Sequence, residues 1–271
     1  MPAEFGARAF VEEVWIKLQE RHADRHLKER PPCRLQSDDD WEQRLHDCLN
    51  AEWPCRAIPE FWTVWTKVIA ELEAAGIRAG PASYKAYNDG DAGFLRAVWC
   101  LVRHLAPNHV IETGVAHGLS SRIILEALER NGRGHLWSID LPPLERVWRS
   151  QAIMAVGTRF ADRWSYLMGS SRRLLPDLLS RLGQIDLFIH DSLHSERNVR
   201  FEMERASVAI RPGGALVVDD VDVNDAFQSF TDTRSGFQSM ICEAEPIRPD
   251  TRRFNQKGLF GIILKASLAQ E

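Results

Sequence analysis

The chain has 271 residues, 44% of them hydrophobic, enough to bury the core of one large domain or of one domain with an extension. Lys and Arg number 34 against 38 Asp and Glu, and a net charge of −4 excludes a general nucleic-acid binder, which needs a basic surface to displace counterions. No apolar run approaches the roughly 18 residues of a membrane span.

The opening stretch, MPAEFGARAFVEEVW, carries acids where a signal peptide needs a basic segment followed by an apolar one. The five cysteines, Cys33, Cys48, Cys55, Cys100 and Cys242, form no C-x-x-C pair and so no zinc-ribbon or thioredoxin spacing. Their odd number suits a reducing compartment, and a soluble, cytoplasmic protein is expected. The nine tryptophans fall mostly outside the motifs below and read as core packing.

Residues 1–90 lack strand patterns and are expected to form a helical N-terminal extension. Phe10, Val14, Ile16 and Leu18 lie near helical spacing, and Pro31-Pro32 must break any helix that reaches them. Ser37, followed by three aspartates and Trp41, has the form of a helix start, because acids favour the first turn. Phe61, Val64, Trp65, Val68, Ile69 and Leu72 describe a second amphipathic helix that stops near Gly76. Residues 76–93, rich in Gly, Ala, Pro, Asn and Asp, read as a long loop.

Beyond Gly93, residues 91–271 form the second expected unit. Short apolar runs alternate with helical patterns: strands at 109–112, 135–140, 164–168, 185–190 and 215–219, with helices at 120–130, 147–156, 173–182 and 195–210 between them. Two closing strands are expected at 239–244 and 259–265. Serial βα units predict an α/β fold, a doubly wound, mainly parallel seven-stranded sheet covered on both faces.

In such sheets ligands bind beyond the carboxyl ends of the strands, where strand order reverses. The first strand ends in ETGVAHGLS, Glu112 to Ser120. Gly114 and Gly118 permit a sharp turn and a close backbone approach, and the helix that follows offers free N–H groups. A dinucleotide fingerprint fails, because Ala116 and Leu119 stand where its second and third glycines belong. No Gly-Lys-Ser/Thr follows, so the loop is not a Walker loop, and no G-x-S-x-G elbow marks a serine hydrolase. Asp140 closes the second strand, where a carboxylate can accept from two ribose hydroxyls or cap the turn before Pro142-Pro143.

The stretch resembles motif I of class I S-adenosylmethionine (SAM) dependent methyltransferases, and within them the metal-dependent catechol and macrolide-sugar O-methyltransferases. The resemblance covers about residues 90–265, including Arg211-Pro-Gly-Gly214 before the fifth strand. It implies a Rossmann-like methyltransferase fold that binds SAM. It places Gly114 and Gly118 along the methionine part, Ser120 on its carboxylate, Glu112 as support for the loop, Asp140 on the ribose, and Ser170 and Ser171 beside the adenine.

Asp191, Asp219 and Asp220 end the fourth and fifth strands and should converge on one rim, where their mutual repulsion calls for a cation; oxygen ligands suit Mg²⁺ or another hard divalent ion. Taken singly, each acid could be a loop residue or a helix cap, and His194 a structural histidine. The resembling enzymes place an acid, a base three residues later and an acidic pair at these positions, so the resemblance assigns Asp191, Asp219 and Asp220 to the metal. It makes His194, beside Asp191, the catalytic base. A histidine, with its ordinary pKa near ~6.5, suits proton removal at neutral pH. The expected activity is methyl transfer to a small-molecule hydroxyl. The alternatives are a metal-independent methyltransferase and a degenerate fold serving as an interaction module. The expected partners are that small molecule and, through N-terminal helices acting as a lid or a dimer contact, a second copy of the chain; nucleic acid and membrane are not expected.

Overall fold

Side chains alternate along the strands, and the alternation divides the core in two. In β1 (His109–Thr113), Val110 packs to one face and Ile111 to the other; in β4 (Ile185–His190), Leu187 and Ile189 oppose Phe188. The computed structural model describes residues 35–80, 84, 91–141, 143, 145–245 and 258–267, with isolated positions 11, 12, 14, 15 and 18.

The remaining strands are β2 (His135–Asp140), β3 (Trp164–Met168), β5 (Ile210–Val218), β6 (Phe237–Glu243) and β7 (Leu259–Lys265). The sheet order is β3-β2-β1-β4-β5-β7-β6, with β7 antiparallel to both neighbours and β1 to β5 parallel. The expected doubly wound, seven-stranded sheet is therefore present. Its order reverses between β1 and β4, which opens a crevice beyond their carboxyl ends.

One face is covered by α1 (Trp41–Cys48), α2 (Ile58–Ala74), α3 (Ala92–Leu105) and α4 (Leu119–Asn131). After a single turn, α5 (Arg146–Arg149), the other face receives α6 (Ser171–Leu182), α7 (Glu196–Ala209) and α8 (Ala226–Asp232). Phe61, Val64, Val68 and Leu72 form the buried stripe of α2, the periodicity expected of it. They share one continuous core with Leu45 of α1 and with Phe94, Val98 and Trp99 of α3, so the described part of residues 1–90 packs as a layer of the fold.

Two elements depart from the sequence expectation. The helix expected over 147–156 is only the turn α5, because the chain after it docks on the loop following β1, with Ile153 N donating to Ala116 O at 2.9 Å and Ala155 N to His117 O at 2.9 Å. β5 begins at Ile210, before the Pro-Gly-Gly turn, and the irregularity is absorbed as a register shift against β4. Near it Arg211 Nε donates to Asp186 at 2.5 Å, while Asp186 also accepts from Asn108 N and His109 N at 2.9 Å, tying together the starts of β1, β4 and β5. Residues 11, 12, 14, 15 and 18 are helical, but the rest of that first helix, the break at Pro31-Pro32 and most of loop 76–93 lie outside the described residues. Among the described residues no helix is long and apolar enough to cross a membrane.

Arg96 of α3 is buried and donates to Glu42 of α1 at 2.5 Å and, through both terminal nitrogens, to Glu245 after β6 at 2.8 and 3.0 Å. Its removal strands two acids at a helix–sheet joint. Arg96→Met is expected to lower the unfolding free energy by about 3 kcal/mol, read as a fall in urea midpoint at unchanged slope.

Candidate active site

The rim of the crevice is built on a buried carboxyl group. Glu112, fully buried at the end of β1, accepts hydrogen bonds from Ser120 and Ser121 of α4, both at 2.5 Å, and from Ser138 of β2 at 2.9 Å. Burial pushes its pKa up from 4.5 to about 7, and the three hydroxyl donors only partly oppose this. Glu112 thus ties the start of α4 to β1 and β2. Ser120 directs its hydroxyl inward to Glu112, which leaves the backbone N–H groups at the start of α4 as the donors facing outward.

Asp140 is a second clamp. Its Oδ2 accepts from Val115 N and Ala116 N at 3.1 Å, and its Oδ1 from Leu141 N at 2.8 Å, so the acid that ends β2 holds the loop that follows β1. Gly114 and Gly118 both lie at φ +85°, where L side chains are strained. A Cβ on Gly114 would overlap the carbonyl oxygen of Asp191, and one on Gly118 would come within 2.8 Å of Val156. The sequence pointed to close approach of a ligand; what these glycines meet is the protein's own backbone after β4 and the segment after α5.

Two further features have no expectation behind them. Tyr84 packs edge-on against His117, ring centroids 5.2 Å apart, and stacks on Trp148 at 6.0 Å, so aromatic side chains adjoin the loop. Opposite, Ser170 N and Arg173 Nε donate to Glu12 at 3.2 and 3.1 Å, which brings the N-terminal segment to the start of α6. Ser171 directs its hydroxyl to Glu202.

Beyond β4 and β5, Asp191, His194 and Asp219 offer ligand atoms that all lie within 4.8 Å of one another. His194 Nε2 is 3.7 Å from both Asp191 and Asp220. The pKa values of Asp191 and Asp219 are raised, by loss of water and then by the charge of Asp220; Asp91, at the start of α3, adds to the repulsion on both. The structure thus brings together Asp191, His194, Asp219 and Asp220. It adds Asp91, which the sequence hid because it lies far away along the chain, with no strand end to mark it. Four acids and an imidazole fit a divalent cation: the donors are hard oxygens, and their repulsion is what a cation relieves.

Known proteins share the fold that carries these residues. Residues 111–221, from β1 to just past β5, match a family described as a methyltransferase domain. An O-methyltransferase from Bacillus cereus in complex with SAH superposes with a TM-score of 0.50 at 14% identity, over 75% of this chain and 90% of that one. Cofactor-bound Rv0187 from MTB superposes with a TM-score of 0.50 at 17% identity, over 87% and 100%. No curated protein matches the chain. The superpositions show the Rossmann-like fold expected from the sequence, and its central part, residues 111–221, is similar to the methyltransferase domain.

Glu112 carries a pH signature. The folded state favours its protonated form, so stability is undiminished below 4.5 and is lost as pH rises through about 7. Glu112→Gln stays neutral. Urea unfolding of the two proteins should show wild type losing ground to the variant between pH 4.5 and 7, with a constant difference above that. A difference independent of pH would mean an ordinary carboxylate.

Proposed function

We propose that the protein transfers a methyl group from SAM to a hydroxyl oxygen of a small molecule, assisted by a divalent cation and by His194 as general base. The observation that carries the proposal is the grouping of Asp191, His194 and Asp219 within 4.8 Å, on the rim that the Gly114 loop shares. The family match over 111–221 and the fold shared with the SAH-complexed enzyme support the cofactor.

SAM supplies an electrophilic methyl group, and a divalent cation supplies Lewis acidity that lowers the pKa of a substrate hydroxyl. The chain's own residues do the rest. The N–H groups at the start of α4 and the loop fixed by Glu112 and Asp140 orient the cofactor, with Asp140 at the ribose end. Asp191 and Asp219 hold the cation, with Asp220 and Asp91 adding negative charge. His194 Nε2 takes the hydroxyl proton as the oxygen attacks. Acceleration comes chiefly from holding acceptor and donor in line. Glu12, held by Ser170 N and Arg173, adds a carboxylate beside the nucleoside end.

Asp191→Ala and Asp219→Ala are expected to abolish methyl transfer while SAM binding by calorimetry persists. Full activity in EDTA would remove the cation from the mechanism, and absence of SAM and SAH binding would remove the whole assignment. His194→Ala should lower kcat by about 10²–10⁴-fold with the cation retained. Because His194 lies within the ligand cluster, loss of cation together with rate would make it a ligand, and a wild-type rate would leave it no chemical role.

A further inference from the structure

A second cluster lies at the other end of α3. His46 of α1, Cys55 in the connection to α2, and His104 of α3 present ligand atoms within 4.8 Å of one another. Cys55 Sγ and His104 Nε2 are 3.2 Å apart. Cys100 stands one turn before His104 on the same face of α3 and is hydrogen-bonded to Cys55. We propose that His46, Cys55, Cys100 and His104 form a structural zinc site that fastens the N-terminal helices to α3.

His46 gives the strongest argument. It is 1% exposed, and its Nδ1 lies 2.6 Å from the backbone carbonyl of Glu42. A carbonyl only accepts, so Nδ1 carries the proton and Nε2 bears a bare lone pair. That Nε2 is buried and has no hydrogen-bond partner among the described residues, yet it faces the thiol and the second imidazole. A metal-bound histidine has this arrangement: the outer nitrogen donates to a carbonyl, which fixes the tautomer and points the inner nitrogen at the ion.

The donor set is also right. His46, Cys55 and His104 supply three of the four donors of a tetrahedral Cys₂His₂ zinc site, Cys100 beside Cys55 would move in as the fourth, and bond lengths of about 2.3 Å to sulfur and 2.0 Å to nitrogen put neighbouring ligands about 3.5 Å apart. The 3.2 Å between Cys55 and His104 needs only a small outward adjustment. Two thiolates would neutralise the ion, as a buried site requires. Ala57 N already donates to Cys55 Sγ at 3.4 Å, a backbone contact suited to a thiolate. His104 is exposed and gives the ion a way in. Asp91 and His104 are 13 residues apart along the chain, about 20 Å along a helix, so the cluster is separate from the acids of the crevice.

The test is metal analysis of the full chain, expressed with added zinc and purified without chelator. Wild type is expected to hold about one zinc per chain in this site, and the Asp191→Ala/Asp219→Ala protein, whose crevice ligands are gone, to hold the same. Cys55→Ser, which is nearly isosteric, and His104→Ala, at an exposed position, should each weaken zinc binding at least ten-fold, since even outer-shell changes cost that much. Cobalt loaded in place of zinc should show the thiolate charge-transfer and tetrahedral d–d bands, absent in Cys55→Ser. Three results would overturn the site: wild type that binds neither metal, zinc lost in the double-aspartate protein but kept in Cys55→Ser, or a metal-free chain lighter by two hydrogens through a Cys55–Cys100 disulfide.

Discussion

The crevice depends on the contact between Gly114 and the backbone of Asp191. There the turn after β1 presses on the turn after β4 so closely that any side chain at residue 114 would collide with the Asp191 carbonyl. Gly114 N also donates to Ile139 O, and Asp191 N to Thr113 O, so both turns are held in the continuation of the sheet ladder. The loop motif and the acidic cluster, remote in sequence, are thereby fixed to one another. A shift in either would carry the other with it. The glycine serves the alignment of two half-sites, a stricter demand than room for a ligand, because backbone cannot yield as a flexible side chain can.

Two buried carboxyl groups support this junction, and their environments push them in opposite directions. Glu112 is surrounded by neutral hydroxyls, and burial raises it to about 7. Burial alone would also raise Glu202, but His190, 2.7 Å away, and hydrogen bonds from Ser171 and Thr113 hold it down to about 2. Ser192 and Asn198 donate to its other oxygen at 2.9 Å. The network therefore joins β1, β4, α6 and α7 directly beneath Asp191. Such fully satisfied networks stiffen what they support, since a partner displaced by even an ångström leaves a buried charge uncompensated.

What the sequence revealed follows from the range of its signals. β2, β3, β4 and β7 were legible to the residue, because each is a short, mostly apolar run bounded by turn or charged residues. The acids at 140, 191, 219 and 220 were legible as acids standing at or just beyond the carboxyl ends of such runs. The segment 147–156 was misread because Val147 and Ile153 suit a helix, whereas contacts with the loop after β1 decide its path. Those contacts are tertiary and leave no periodicity. Asp91, Tyr84 and Glu12 were invisible as site neighbours for a related reason, since no local pattern states that they fold back over the crevice.

The cysteines show the same limit from the other side. The absence of a C-x-x-C pair speaks against a ribbon, in which one short segment supplies adjacent ligands, but says nothing about ligands drawn from three elements. Here the helix is the organising device. One turn of α3 brings Cys100 and His104 to a common face, and α1 and the bend before α2 each need to deliver only one further donor. The same helix bears Asp91 at its start, against the acids of the crevice, and Arg96 between, paired with α1 and the end of β6. A rigid element so loaded makes the N-terminal layer part of the frame around the site: movement of α1 would act on Arg96 and on His46 together, and α3 would carry that strain to its Asp91 end.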